Sequence, residues 1–227
     1  MNIAIIMAAG SGKRMNSGTP KQFLDAGGKP VIIHTLEKFQ NCAAVDAIII
    51  VCAPDYIEHC TSLAEKWGIS KCVSVVAGGA ERYDSSRLGV KEALRIAKGR
   101  KKDTVVLIHD AARPFVTEEI INANADAARK FGACETAIRM TDTVVCGSNG
   151  FAEGTIPREN LYRVQTPQSF RLDLIANAFE SYDPKTDGPL TDDASLFLRN
   201  GSKVAIVEGS ALNVKITTPE DMELFGV

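Results

Sequence analysis

Residues 7–22 read M-A-A-G-S-G-K-R-M-N-S-G-T-P-K-Q and follow directly on the apolar run I-A-I-I at residues 3–6. A stretch with three Gly, two Lys, an Arg and a Pro does not pack as core. Gly10 and Gly12 carry no side chain, so backbone N–H groups can approach a ligand closely. Together with Lys13, Arg14 and Lys21, such amides make an anion site that suits a polyphosphate. G-S-G-K-R at 10–14 lacks the spacing of a Walker loop and the third Gly of a dinucleotide fingerprint. Taken alone, the loop reads equally well as a surface turn with solvated cations, so the rest of the chain must decide.

Two further loops carry similar chemistry: A-G-G-A-E-R at 77–82 and H-D-A-A-R-P at 109–114. Each follows an apolar, β-rich run. Such runs occur at 2–7, 47–51, 72–76, 104–108 and 134–139, with helical spacing between them at 30–41, 55–67, 83–97 and 117–131. In the last of these, Ile120, Ile121, Ala127, Ala128 and Phe131 are compatible with one apolar face. Strands that are nearly all apolar are expected where helices cover both sheet faces. Repeated units of this kind predict an α/β, doubly wound, mostly parallel sheet with ligands at the carboxyl ends of its strands. All three polar loops then open on one edge.

After residue 140 the pattern changes. T-V-V-C-G-S-N-G-F-A-E-G-T-I at 143–156 predicts a hairpin about Ser148-Asn149-Gly150, an arm within about 141–160 that is too short to bury its own core. Helices near 172–181 and 192–200, a strand at 203–207, the segment N-V-K-I and a short helix from Pro219 follow. The 227 residues are expected to form a single domain carrying this arm.

Composition bounds the function. A formal charge of −2 leaves no overall basic footprint for nucleic acid. The longest apolar runs are too short to span a bilayer, and no basic region precedes the first of them. The six Cys lie far apart with no C-x-x-C pair, which predicts reduced thiols in a cytoplasmic protein. The three His show no triad-like arrangement, and His34 and His59 fall in helical patterns as packing or surface residues.

The pattern A-A-G-S-G-K-R-M with P-K-Q resembles the sugar-nucleotide-type nucleotidyltransferases. Five more segments narrow the match: A-G-G-A-E-R-Y-D-S (77–85), H-D-A-A-R-P-F (109–115), Q-T-P-Q-S-F (165–170), T-D-D-A-S (191–195) and N-V-K-I-T-T-P-E-D (213–221). Together they resemble the 2-C-methyl-D-erythritol 4-phosphate cytidylyltransferase family and its close relative, the ribitol-5-phosphate cytidylyltransferases. The resemblance implies a Rossmann-like fold of the nucleotide-diphospho-sugar transferase type. It also implies transfer of a cytidylyl group from CTP to a polyol phosphate, with pyrophosphate released.

The same resemblance implies the roles. Arg14 and Lys21 stabilise the transition state near the α-phosphate, and Arg158 and Lys215 position the acceptor phosphate. Ala8, Ala9, Gly10, Ser11, Gly12 and Lys13 bind nucleotide with Gly78, Gly79, Ala80 and Ser85, the latter group reading cytosine and ribose. Asp110, Arg113 and Thr143 serve the acceptor, although Asp110 also suits a cap on the following turn. The segment at 165–170 is mainly structural, and one of Asp192 and Asp193 is a helix N-cap. Mg²⁺ is the implied cofactor, held mainly by CTP phosphates and water with no dedicated protein site. A homodimer is implied through the arm, which reaches a partner subunit.

Methylerythritol phosphate is the favoured acceptor, on Ala9, Ala112 and T-D-D-A-S. Val144-Val145 after Thr143 and the stretches P-K-Q-F-L, I-H-T-L-E-K-F and I-P-R favour ribitol 5-phosphate instead. A nucleotide-binding regulatory protein without catalysis is the more distant alternative. It needs no paired cations on both reacting phosphates.

Overall fold

The computed structural model describes residues 1–10 and 19–225. The first half runs β1 (Asn2–Ala8), the two-residue strands β2 (Asp25–Ala26) and β3 (Lys29–Pro30), α1 (Val31–Asn41), β4 (Ala47–Cys52) and α2 (Ile57–Lys66). It continues through β5 (Cys72–Ala77), α3 (Arg82–Ala97), β6 (Val105–Asp110), α4 (Glu118–Phe131) and β7 (Ala133–Arg139). Then come the hairpin β8 (Val144–Ser148) and β9 (Phe151–Ile156), the long β10 (Tyr162–Arg171), and α5 (Leu172–Ser181). Short helices α6 (Pro184–Asp187) and α7 (Ser195–Arg199), and β11 (Ala205–Glu208), follow before a 3-10 turn at Glu220–Phe225.

Seven strands form one sheet in the order β11-β7-β10-β6-β1-β4-β5. β1 is parallel to β4 and β6, β4 to β5, and β7 to β11, whereas β10 runs antiparallel to both β6 and β7. The chain builds outward from β1 through β4 to β5, then returns to the other side of β1 as β6. That reversal opens a crevice at the carboxyl ends of β1 and β6, where the register sets Met7 beside Asp110.

Alternation within apolar strands explains the two-sided core. Ala4, Ile6 and Ala8 of β1 pack with Ile48, Ile50, Val105 and Leu107 on one face, against α1, α2 and α4. Ile3 and Ile5 pack with Ile49, Val51, Val106 and Ile108 on the other, against α3 and α5. Gly89 lets α3 lie close on this second face, because a Cβ there would sit 2.6 Å from Ile5 Cγ2 and 3.0 Å from Val51 Cγ2. The N-terminus of α3, and the loop entering it, are thereby set against the crevice.

The expected parallel βα alternation is present, and β8 and β9 form their own two-stranded sheet with exposed side chains. Two expectations are corrected. Phe131 does not join the buried face of α4, which is Ile120, Ile121, Asn124, Ala125 and Ala128. Its ring is 58% exposed beneath the Lys130 ammonium, because the chain turns away at Gly132 immediately after it. The helix expected over 192–200 is cut to Ser195–Arg199, since Asp192 Oδ1 accepts from the Ser195 amide at 2.9 Å and Asp193 is engaged elsewhere. The Q-T-P-Q-S-F segment, expected to be mainly structural, lies inside the ten-residue strand β10 between β7 and β6.

Among the described residues no helix is long and apolar enough to cross a membrane. All six cysteines are free thiols, with Cys42, Cys52, Cys60 and Cys134 buried.

Candidate active site

The crevice holds a cavity of about 460 Å³, lined by the end of β1 (Met7, Ala9, Gly10), by Lys21 and Gln22, by residues 79–82 and Ser85, by Asp110–Ala112, and by Lys215 and Thr217. Five segments of the chain therefore meet at one strand edge. Gln22 ties two of them together, its Nε2 donating to Ala8 O at 2.6 Å and Gly10 O at 3.1 Å.

The loop after β5 is shaped from within. Ser85 Oγ accepts from the Gly79 amide at 3.1 Å and donates to Glu81 O at 3.2 Å. Gly78 must lack a side chain, since a Cβ would fall 2.7 Å from Ser85 Oγ and 2.8 Å from Ala9 Cβ. Glu81 and Asp84 close a capping box on α3, so the Glu81 carboxylate is committed to the helix start. Gly79 and Ala80 consequently line the cavity on a rigid support.

Opposite stands a charge cluster. Asp110 Oδ2 lies 2.9 Å from Lys215 Nζ and 3.2 Å from Arg113 Nε. Burial alone would raise the Asp110 pKa, but the charges of Lys215, Arg82 and Arg113 outweigh it and hold the carboxyl well below the usual range. Among the described residues no backbone amide donates to the Asp110 carboxylate, which is held by Lys215 and Arg113 instead. Beside it, His109 is fully buried: Nε2 donates to Arg113 O at 3.1 Å and Nδ1 accepts from Thr166 Oγ1 at 3.0 Å. Burial pushes its pKa down to about 4, leaving a neutral ring fixed in one tautomer.

Strand β10 organises both halves of the site. Thr166 Oγ1 accepts from the Asp110 amide at 3.1 Å, and Thr166 O accepts from Asn213 Nδ2 at 2.9 Å. Gln165 Nε2 donates to Ser210 O at 2.8 Å, pinning the segment that delivers Lys215. Gln168 Oε1 accepts from the Asp193 amide at 3.0 Å, and Asp193 Oδ2 lies 2.8 Å from Arg82 Nη1.

The structure brings together Ala9, Gly10, Lys21, Gly79, Ala80, Ser85, Asp110 and Lys215. Ala8 ends β1 just beneath, and Gly78 begins the loop. Ser11, Gly12, Lys13 and Arg14 lie outside the described residues. Arg113, expected beside the acceptor, does not line the cavity; it braces Asp110 and donates from Nη1 to Asn213 O at 2.9 Å. Thr143 and Arg158 stand at the exposed foot of the arm, outside this cavity, with the Arg158 guanidinium on Thr141 O. Sequence reasoning missed Gln22, Arg82 and Thr217. Arg82 stood inside a quoted motif, but its ion partner lies over a hundred positions away.

The family profile described as 2-C-methyl-D-erythritol 4-phosphate cytidylyltransferase (IspD) matches residues 2–225. A 2-C-methyl-D-erythritol 4-phosphate cytidylyltransferase of Clostridium botulinum is 43% identical over 225 residues, covering 98% of this chain and 95% of that protein. A ribitol-5-phosphate cytidylyltransferase of Streptococcus agalactiae is 39% identical over 228 residues, covering 99% and 93%. The crystal structure of the 4-diphosphocytidyl-2C-methyl-D-erythritol synthase of Anaerococcus prevotii superposes with a TM-score of 0.80 at 32% identity, covering 99% of this chain and 93% of that one.

Proposed function

Because this chain belongs to the 2-C-methyl-D-erythritol 4-phosphate cytidylyltransferase family, we propose that it transfers a cytidylyl group from CTP to 2-C-methyl-D-erythritol 4-phosphate in isoprenoid biosynthesis. A phosphate oxygen of the acceptor forms a bond to the α-phosphorus as the bond to the pyrophosphate oxygen breaks. A phosphate dianion is nucleophilic at neutral pH, so no general base is required, and the neutral, buried His109 is left a structural part. Catalysis is then orientation and charge neutralisation.

The observation that carries this reading is the meeting of Lys21, the loop 79–85, Asp110 and Lys215 on one cavity at the switch point of the sheet. The triphosphate lies over Ala9 and Gly10, with Lys21, and Arg14 from the adjoining segment, on the charge that develops at the α-phosphorus. Main-chain groups of the loop after β5 that are not spent within it read the cytosine edge. Two cations share the Asp110 carboxylate, so that side keeps a net positive charge suited to the acceptor phosphate.

Mg²⁺ neutralises and orients the CTP phosphates when bound. The cavity carboxylates do not suit a protein-built metal site, Glu81 being committed to the α3 cap and Asp110 to Lys215 and Arg113. We assign the ion's ligation to phosphates and water. Arg158 and Thr143 reach an acceptor only from a partner subunit's arm, which makes a homodimer with shared sites part of the reading. Exposed Val145, Phe151 and Ile156 on that arm suit such a contact. The free thiols fit a reducing cytoplasm. Ribitol 5-phosphate is the alternative acceptor, supported by the relative at 39% identity.

Pyrophosphate release, measured with each of the four nucleoside triphosphates against methylerythritol phosphate, ribitol 5-phosphate and a sugar 1-phosphate, tests the assignment. Release only with CTP and a polyol phosphate is expected. Transfer to the sugar 1-phosphate alone, or nucleotide binding without turnover on any acceptor, overturns it.

A further inference from the structure

Arg82 opens α3 and lines the cavity beside Asp110 and Lys215. Its Nη1 lies 2.8 Å from Oδ2 of Asp193, whose side chain is 2% exposed while that of Arg82 is 36% exposed. Asp193 is held in turn by Gln168 of β10, which accepts from its backbone amide and, through Nε2, donates to Asp192 Oδ2 at 2.7 Å. A surface cation has no need of so buried a counter-ion. Aiming a guanidinium into a cavity does require one, because a long side chain otherwise spreads over several rotamers.

We propose that Arg82 contacts the acceptor on its polyol side, donating to a hydroxyl, and that Asp193 is the positioning residue that aims it. Charge accounting favours a hydroxyl over a phosphate. Asp193 balances Arg82, whereas Lys215 and Arg113 together exceed the single charge of Asp110. Among the described residues, Asp193 occupies one nitrogen of the Arg82 fork, leaving N–H donors for substrate. The contacts on Asp110 fall on Oδ2, leaving Oδ1 to accept. A donor and an acceptor on one wall match a hydroxyl, which both accepts and donates. This assignment rests on the acceptor-side reading of Asp110 and Lys215 given above.

The test is a double-mutant cycle of Arg82→Gln, Asp193→Asn and both, with Arg82→Lys as the charge-conserving control. Acceptor and CTP are each varied, inorganic phosphate serves as a competitor of the acceptor, and CTP affinity is measured by calorimetry. Losing a hydrogen bond from a charged donor should lower kcat/KM for the acceptor roughly 10–100-fold. CTP affinity and the inhibition constant of phosphate should move less than about twofold. Asp193→Asn should act on the same parameter, and the double variant should be no worse than Arg82→Gln within about twofold. A tenfold weaker inhibition by phosphate in Arg82→Gln, an equal loss of CTP affinity, or additive losses would each overturn the proposal. If Asp193→Asn does not fold, the two Arg82 variants decide, since that side chain is partly exposed. Wild-type protein inactive on both polyol phosphates would sink the functional reading; an active wild type matched by Arg82→Gln would sink this inference alone.

Discussion

The Lys215 ammonium stands 2.9 Å from the Asp110 carboxylate, joining the last segment of the chain to the end of the central strand β6. Arg113 approaches the same oxygen at 3.2 Å, so the carboxylate is braced from its own loop and from the far end of the sequence. A nearly buried charge with two such partners is costly to disturb, because removing one leaves the other uncompensated in a poorly solvated site. The same geometry presents excess positive charge to the crevice.

On the donor side, CTP should be used far better than ATP, GTP or UTP, since the proposal has main-chain groups of the loop after β5 reading the cytosine edge. Uracil reverses donor and acceptor at the pyrimidine C4 substituent. Initial rates at matched nucleotide concentrations check this, and equal rates with UTP would contradict it.

Removing either cation of the opening segment should damage chemistry more than binding. Lys21→Ala and Arg14→Ala should each lower kcat by roughly 10²–10³, the cost of one preorganised electrostatic contact, with KM for CTP changing less. A kcat within about twofold of wild type at either position removes that residue from the mechanism.

The arm makes a prediction about assembly. Deleting residues 147–152 should weaken the dimer and activity together, because an exposed two-stranded hairpin is marginal without a partner. Mixing inactive Lys21→Ala and Arg158→Ala proteins should restore activity if sites are shared between subunits. A fully active monomer by light scattering, or no recovery on mixing, would count against the shared site.

Stability should fall with acid in a predictable window. Burial depresses the His109 pKa to about 4 from its ordinary 6.5, so the folded form binds fewer protons than the unfolded form between those values. Its contribution is complete above about pH 6.5 and is lost as pH drops toward about 4, by up to about 3 kcal/mol. Asp110, held low by Lys215, Arg82 and Arg113 against the effect of burial, acts in the same direction at lower pH. Urea unfolding at several pH values should show a shallower dependence for His109→Gln. An unchanged slope would refute the assignment.

Acceptor choice follows from hydroxyl matching. A site that hydrogen-bonds a hydroxyl rejects a ligand that leaves its buried polar groups unpaired, so one polyol phosphate should dominate. Methylerythritol phosphate is the expected winner by kcat/KM, and Arg158→Lys should reduce its use despite preserving charge. A clear preference for ribitol 5-phosphate would reverse the choice of acceptor and leave cytidylyl transfer intact.

Much of this protein is written in local pattern. The apolar runs that became β1, β4, β5 and β6, the helical spacing between them, and the placing of polar loops at strand ends needed only periodicity and turn chemistry. Those signals lie within a few residues and survive without knowledge of partners. Lys21 and Asp110, which line the cavity, were legible for the same reason, as charged residues in short motifs beside strands, whereas Lys215 was indicated by the family resemblance alone. The position of β10 was not, since strand pairing joins segments far apart in sequence and an antiparallel insertion between β6 and β7 leaves no local mark. Nor was the fate of individual charges. Arg113 braces the site from within and Arg82 enters it, although both follow strands in similar polar loops. That division depends on which buried carboxylate each guanidinium meets, and burial and distance exist only once the chain has folded.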